Sequence, residues 1–410
     1  MQPRTTMPVS RWVEFGTLLI ALLAVIRIGC ELPARAGAND FAHYYIAGRL
    51  QWAGANPYGQ SLAPLYAQFG FELDSSAMPV VTPNPPAFVW LFAPIAALPV
   101  RVAFGVWLLV QVGSLGGILW MTQRLLADRL PPWGWRCVWA GTLAAVPVFW
   151  HFYFSQAQLL LAALVLGAFV MQRAGRDTAA GLLVVTAGLL KIFPLALLPW
   201  FIWRGAGTWR RRLTRLGWVV GFGLVIVWAT NLERWEDFFH RQGSVVSGNM
   251  IDRVFNVTVP SLVTNVGLTA GPESMARVWP AVGLGAGLLV LAGAYAACWR
   301  ADGARELEFS LLCAAMLAGS PTAWGHYLVF LIFPVVVLAT RVRPRRWVGF
   351  AVVVALLNNF GRWNFMLQES ALRGHIWVKL LLNYVPLFGI LGLAVFLISE
   401  LYAGRRRLDE

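Results

Sequence analysis

What most constrains this chain is a rhythm of apolar runs, each near the length that crosses about 30 Å of hydrocarbon, separated by short clusters of arginine. The clusters are Arg4 and Arg11; Arg124, Arg129 and Arg136; Arg173 and Arg176; Arg204 with Arg210, Arg211, Arg212 and Arg215; Arg300 and Arg305; Arg341, Arg343, Arg345 and Arg346; and Arg405, Arg406 and Arg407. Hydrophobic residues make up 58% of the 410 and charged residues 13%, about half the charge of a soluble domain. No soluble core absorbs that excess, so the chain reads as an all-α polytopic membrane protein. Its formal charge of +14 is divided among the clusters and not spread over one polar face, so they read as cytoplasmic topology markers and not as a nucleic-acid surface.

Between successive clusters the chain must leave and return, which gives about twelve transmembrane helices, several short or broken, with both termini cytoplasmic. The first runs from about Trp12 to Cys30; its basic start and the small residues Ala34 and Ala36 also fit a cleaved signal peptide, but the many spans that follow favour a retained helix. A long first outer loop, residues 31–101, comes next. Within it Pro85 to Leu98 is too short for a comfortable span and is placed as a re-entrant or juxtamembrane element. Helices are then expected at about Val102–Met121, Cys137–Trp150, Leu159–Val170, Leu216–Thr230, Pro280–Cys298, Leu307–Ala318, Leu328–Ala339, Trp347–Asn358 and Trp377–Ser399. The block Ala179–Trp203 has basic clusters on both sides, which one span would violate; a split at Lys191-Ile192-Phe193-Pro194 resolves this and puts Lys191 near an outer apex. Residues 231–279 and 360–376 form the second and third outer loops of a single integral membrane domain covering the whole chain.

With this topology the polar motifs DFAHYY, SQAQ, KIFP and SPTAWGHY all fall at outer helix ends. Asp40 is a lone carboxylate there, equally suited to cap a helix and to act as a general base. If it starts a helix, His43 and Tyr44 share its face. Lys191 lies inside an apolar block, where a charge costs about 3 kcal/mol, and suits an anionic headgroup such as a phosphate. His326, at a helix-breaking turn, is either structural or part of the site; Gln156 and Gln158 offer amides to sugar hydroxyls or to neighbouring helices. The second outer loop adds Arg253, Asn256 and Arg277, and Trp324 is one of the 21 tryptophans able to stack on a sugar ring. Asn256-Val257-Thr258 is read as a chance glycosylation sequon. Four scattered cysteines and the lack of a DxD, HExxH or His/Cys cluster suggest no metal site, and none is expected.

These motifs, in the order DFAHYYIAGRLQWAGANPYG, PPAFVWLFAPIAALP, QAQLLLAALVLGAFVMQRAGRDTAAGLLVVTAGLLKIFPLALLPW and SPTAWGHYLVFLIFP, resemble glycosyltransferase family 87. The resemblance extends from about residue 12 to about residue 400 and implies a GT-C fold and polyprenyl-phosphate-mannose-dependent α-(1→2) mannosyl transfer. It implies Asp40 as general base, and it matches Lys191 to the family's KxxP lysine and His326 to the histidine after SPxxW. This chain has Asn84 where the family shows a tyrosine before the paired prolines, and Gln158 where the family pattern has asparagine.

The expected reaction is metal-free transfer of a hexose, with inversion, from a polyprenyl-phosphate sugar to a hydroxyl of a glycolipid or lipid-linked glycan. It would take place at the outer face of the cytoplasmic membrane. Asp40 takes the acceptor proton, Lys191 faces the leaving phosphate, and Arg253 or Arg277 assists. The rival readings are a transporter or flippase of a lipid-linked sugar, which needs polar groups near the midplane, and a non-catalytic subunit of an envelope polysaccharide complex.

Overall fold

The computed structural model describes residues 9–35, 40–59, 61–71, 82–245, 256–300, 304–359 and 376–406. The described residues are almost entirely helical. The first half comprises α1 (Val9–Arg35), α2 (Asp40–Trp52), α3 (Ala63–Gln68), α4 (Pro86–Ala96), α5 (Val100–Leu125), α6 (Pro132–Ala144), α7 (Val146–Tyr153), α8 (Gln158–Arg173), α9 (Asp177–Leu190) and α10 (Leu198–Arg204). The second half comprises α11 (Trp209–Ala229), α12 (Leu232–Val245), α13 (Val259–Ala270), α14 (Trp279–Arg300), α15 (Arg305–Gly319), α16 (Ile332–Ala339), α17 (Trp347–Leu357), α18 (Ile376–Asn383) and α19 (Val385–Arg406). Five helices, lying in α1, α5, α11, α14 and α19, are long and apolar enough to cross a membrane. This is a multi-pass membrane protein. Its lipid-facing surfaces are apolar: Leu18 is 68% exposed on α1, Trp228 73% on α11 and Leu289 75% on α14.

Prolines and local backbone geometry divide several apolar runs. The expected single helix over Cys137–Trp150 is two, because Ala145 turns extended (ψ 133°) ahead of Val146-Pro147 and the freed Val146 N–H donates to Asn358 Oδ1 at 3.1 Å. The run Trp377–Ser399 is likewise two helices, parted at Tyr384 before Pro386. Ala179–Trp203 breaks at Lys191, as the charge argument requires. Pro85–Leu98 contains an 11-residue helix, about 16 Å long at 1.5 Å per residue and too short to cross. It packs so closely on α2 that a methyl group at Gly48 would lie 2.7 Å from Ala96 Cβ. The loop taken as 231–279 holds two helices, α12 and α13, while the third outer loop, with Arg362, Glu369, Arg373 and His375, lies outside the described residues.

The arginine clusters do more than mark topology. Buried Glu306, on the first turn of α15, receives Arg173 at 3.2 Å, Arg341 at 3.7 Å and Arg129 at 3.8 Å. One turn-face away, Glu308 accepts two bonds from Arg204 (2.9 and 2.8 Å) and one from Trp200 Nε1 (2.9 Å). Asp177 pairs with buried Arg215 at 2.8 Å. The ends of α8, α9, α10, α15 and α16 are thereby fastened together at one end of the bundle. The opposite ends of α8, α9 and α15 carry SQAQ, KIFP and SPTAWGHY.

Removing one partner of such a buried pair leaves an uncompensated charge. Arg204→Ala is expected to lower stability by about 3–5 kcal/mol, whereas Arg346→Ala, which frees Glu400 from a half-exposed pair, costs less than about 1 kcal/mol. Denaturant unfolding in detergent measures both, and equal losses would refute the ranking.

Candidate active site

The site is built on a tight turn. Between α7 and α8, Ser155 adopts a left-handed conformation (φ 52°), costly for a residue with a side chain. The turn is held by Gln156 N–H donating to His151 O at 3.1 Å and by Trp107 Nε1 of α5 donating to Ser155 O at 2.9 Å. It aims the buried Gln156 amide at the start of α2. There Gln156 Nε2 donates to Asp40 Oδ2, while its Oε1 accepts from Tyr44 Oη at 3.2 Å. One amide thus reads the polarity of a carboxylate and a phenol on the same helical face.

Asp40 is the first residue of α2, where the unsatisfied N–H groups of the first turn favour an anion. Burial pushes its carboxyl above the ordinary value; the nearby His43 and Lys191 pull it back. His43 Nδ1 lies 2.5 Å from the hydroxyl of Tyr66 on α3. Lys191 reaches the same region because α9 ends at it: its backbone is extended (φ −160°, ψ 123°), and Pro194 lies in the short 3₁₀ turn Phe193–Leu197 that follows. Its ammonium lies 5.1 Å from the ring centroid of Tyr327, a cation–π contact that fixes its direction without neutralising it.

His326 lies in the 3₁₀ helix Gly325–Leu331, buried between Phe154 and Tyr327 (ring centroids 5.8 and 5.0 Å). The charge of Lys191 acts on it as well as on Asp40. Asp40, His43, Tyr44, Gln156, Lys191 and His326 are therefore brought to one end of the bundle. Asn256 braces the neighbouring turn: its Oδ1 accepts from Ala323 N–H and its Nδ2 donates to Pro321 O, both at 2.9 Å, so it shapes the SPTAW segment from which partly exposed Trp324 extends. Thr258 of the supposed sequon caps α13, accepting from Ser261 N–H at 3.2 Å. Asn84 is buried and its carbonyl accepts from Tyr58 Oη at 2.6 Å; its Oδ1 has no hydrogen-bond partner among the described residues. The same holds for both amide atoms of fully buried Gln158. Arg277 is exposed on the turn before α14 and Arg253 lies outside the described residues.

Two residues escaped the sequence reading. His151 on α7 is fully buried with neither ring nitrogen hydrogen-bonded among the described residues, and its charge would act on His326. Its signal was a histidine inside an apolar run, WHFYF. Tyr66 carried no signal, being one aromatic of a loop. Among the described residues no three His, Cys, Asp or Glu side chains converge as metal ligands would.

The fold and site together describe a membrane-embedded protein whose polar chemistry is gathered at one end of its helices. The model of glycosyltransferase family 87 matches residues 82–321, more than half the chain, and the chain belongs to that family: it is a glycosyltransferase. The matched range includes Gln156 and Lys191 and stops short of Asp40 on one side and His326 on the other. Similar proteins include the polyprenol-phosphate-mannose-dependent alpha-(1-2)-phosphatidylinositol mannoside mannosyltransferases of Mycolicibacterium smegmatis and Mycobacterium tuberculosis. The first is 24% identical over 361 residues, covering 85% of this chain and 80% of the relative. The second is 26% identical over 353 residues, covering 82% and 79%.

Gln156→Leu removes both bonds of the clasp and leaves the Tyr44 hydroxyl buried without that acceptor. A loss of about 1–3 kcal/mol in denaturant unfolding is expected; wild-type stability would show that the clasp holds nothing.

Proposed function

We propose that this glycosyltransferase moves a hexose, mannose in the first instance, from a polyprenyl-phosphate donor to a hydroxyl of a glycolipid acceptor of the phosphatidylinositol mannoside kind. The observation that carries the reading is a buried carboxylate, Asp40, held by the amide of Gln156 and acted on by the positive charge of Lys191. The names of the relatives supply the donor and acceptor classes.

In this reading Asp40 takes the acceptor proton as the hydroxyl oxygen bonds to the anomeric carbon. The bond from that carbon to the phosphate oxygen breaks on the opposite face, its electron pair leaves with the polyprenyl phosphate, and the anomeric configuration inverts. Lys191 balances the charge that grows on the leaving phosphate. His326, with Trp324 beside it, lines the donor side; His43 and Tyr44 support Asp40; Arg253 and Arg277 are assigned to the phosphate region, and Asn84, Gln158 and Asn256 to the sugar or its surroundings. The lipid tail runs along α4, which presents Trp90 (55% exposed) and Leu91 (47%) outward. A phosphate already departs readily, and with Lys191 as counter-charge the step is proposed to need no metal.

The whole chain is read as one GT-C domain of about twelve spans with 31–101, 231–279 and 360–376 outside. The gathering of arginines at the end opposite Asp40 supports, through the positive-inside rule, a reading with both termini in the cytoplasm and the site at the outer face. The crowding of polar motifs at one end, and not through the midplane, favours transfer over transport.

Asp40→Asn is expected to reduce sugar transfer from a polyprenyl-phosphate donor, assayed in detergent with EDTA, by at least about 100-fold, the usual range for a general base. Near-wild-type turnover of the variant would refute the base, and wild-type activity restored only by added metal would refute the metal-free step. The ionised carboxylate is the active form, so activity should rise with pH through a value above the ordinary aspartate range of about 3.9. Lys191 pulls that value down, so Lys191→Met should move the acid limb of the pH–rate profile further upward; an unmoved limb would remove Lys191 from the site.

A further inference from the structure

A cavity of ≈ 630 Å³ lies between α1, the end of α5 and α6. Its size is that of a ligand pocket, about 300–1,000 Å³. It belongs to the end of the bundle remote from Asp40, because Leu130, one of its walls, follows Arg129, which reaches Glu306 at 3.8 Å. The walls are mostly apolar, among them Leu18, Ala21, Leu130, Ala140 and Leu143. Leu18 is also part of the surface that α1 presents to hydrocarbon, being 68% exposed, so the cavity opens sideways toward the bilayer. Apolar space of this kind does not hold water well, and the molecules within its reach are lipids.

Three polar side chains are set in this wall. Arg136, whose side chain is 52% exposed, pairs with Glu14 of α1. Gln123 Oε1 accepts from Trp139 Nε1 at 3.3 Å, tying α5 to α6. The N–H of buried Trp135 has no acceptor among the described residues, a need that an occupant with oxygen atoms meets and a bare hydrocarbon does not. Arg124 and Arg129 adjoin the wall residues Gln123 and Leu130 in the chain, so three arginines stand here against Glu14 and Asp128. Basic pockets between transmembrane helices favour anionic lipid headgroups.

We propose that this cavity is a binding site for an anionic phospholipid of the leaflet at the arginine-rich end: one acyl chain enters beside Leu18 and packs on the apolar wall, and the phosphate meets Arg136 at the mouth. The site is separate from the one around Asp40 and takes no part in sugar transfer. Its lipid fills the space between α1 and α6 and so seats α1, whose outward face is otherwise exposed, on the rest of the bundle.

The test uses the full chain in detergent, with phosphatidylglycerol and phosphatidylcholine of identical acyl chains added in turn and binding read by native mass spectrometry. Phosphatidylglycerol should bind about 10-fold more tightly, the scale of one charge-assisted hydrogen bond. Arg136→Gln should abolish that preference and leave phosphatidylcholine binding unchanged; the ion pair it breaks is exposed, so the fold is little affected. Ala21→Trp, which fills the cavity, should weaken both lipids by at least about 10-fold through the loss of buried chain area. A phosphatidylglycerol carrying a photoactivatable group at the end of its chain needs no variant and should label peptides of α1 and α6 in the wild type. Equal affinity for the two lipids, a preference that survives Arg136→Gln, unchanged binding to Ala21→Trp, or label spread evenly over the exposed faces of α11 and α14 overturns the proposal. Displacement of the phospholipid by equimolar polyprenyl phosphate also overturns it, since the cavity would then belong to a polyprenyl chain.

Discussion

Two carboxylates at the start of α15 hold the bundle to one arrangement. Glu306 and Glu308 face inward among apolar helices, where an unpaired charge is costly, so each must collect its partners. Their partners come from far along the chain: Arg129 after α5, Arg173 at the end of α8, Arg204 at the end of α10 and Arg341 after α16. The helices that carry these arginines are tied at that end. Their other ends are where proline, glycine and left-handed turns interrupt the backbone. A backbone interrupted within hydrocarbon must be covered by protein, and here the interruptions cover one another.

The candidate site follows from that arrangement. Because α7 and α8 meet at the strained Ser155, Gln156 is delivered to Asp40; because α9 stops at Lys191, its ammonium lies over Tyr327 and its charge acts on the same carboxylate. Neither residue could be placed by an unbroken helix, since a regular turn would point the backbone groups along the axis and the side chains outward. The close packing of α14 on α15, where a methyl group at Gly287 would meet Gly319 O at 2.5 Å, leaves little freedom for the SPTAWGHY turn that seats His326 against Phe154 and Tyr327.

How legible this was depended on the kind of signal. Lys191 was readable because an isolated charge in an apolar block has few explanations, and the break at Lys191-Pro194 because proline cannot continue a helix. Gln156 was readable as a polar residue at a helix end, though not as the link between Asp40 and Tyr44. Asn256 was readable as a polar residue of the second loop, though not as the brace of the SPTAW turn: its amide bonds the backbone of residues 321–323, a contact across 65 positions that no local pattern announces. The divided helices at Ala145 and Tyr384 were missed because hydropathy averages over a window and does not register a break at a single residue.

The sequence by itself determined that this chain lives in a membrane, that its helices are many and some are cut short, and which residues resemble those of family 87, because apolar length, arginine clusters and motif order are local properties. Only the tertiary structure decided which polar groups meet. The Gln156 clasp, the three arginines on Glu306, the buried His151 and the contact between Tyr66 and His43 all join segments or faces whose direction depends on how whole helices pack. Hydrogen bonds and ion pairs act over about 3–4 Å, and side-chain placement on that scale is set by packing and not by order along the chain.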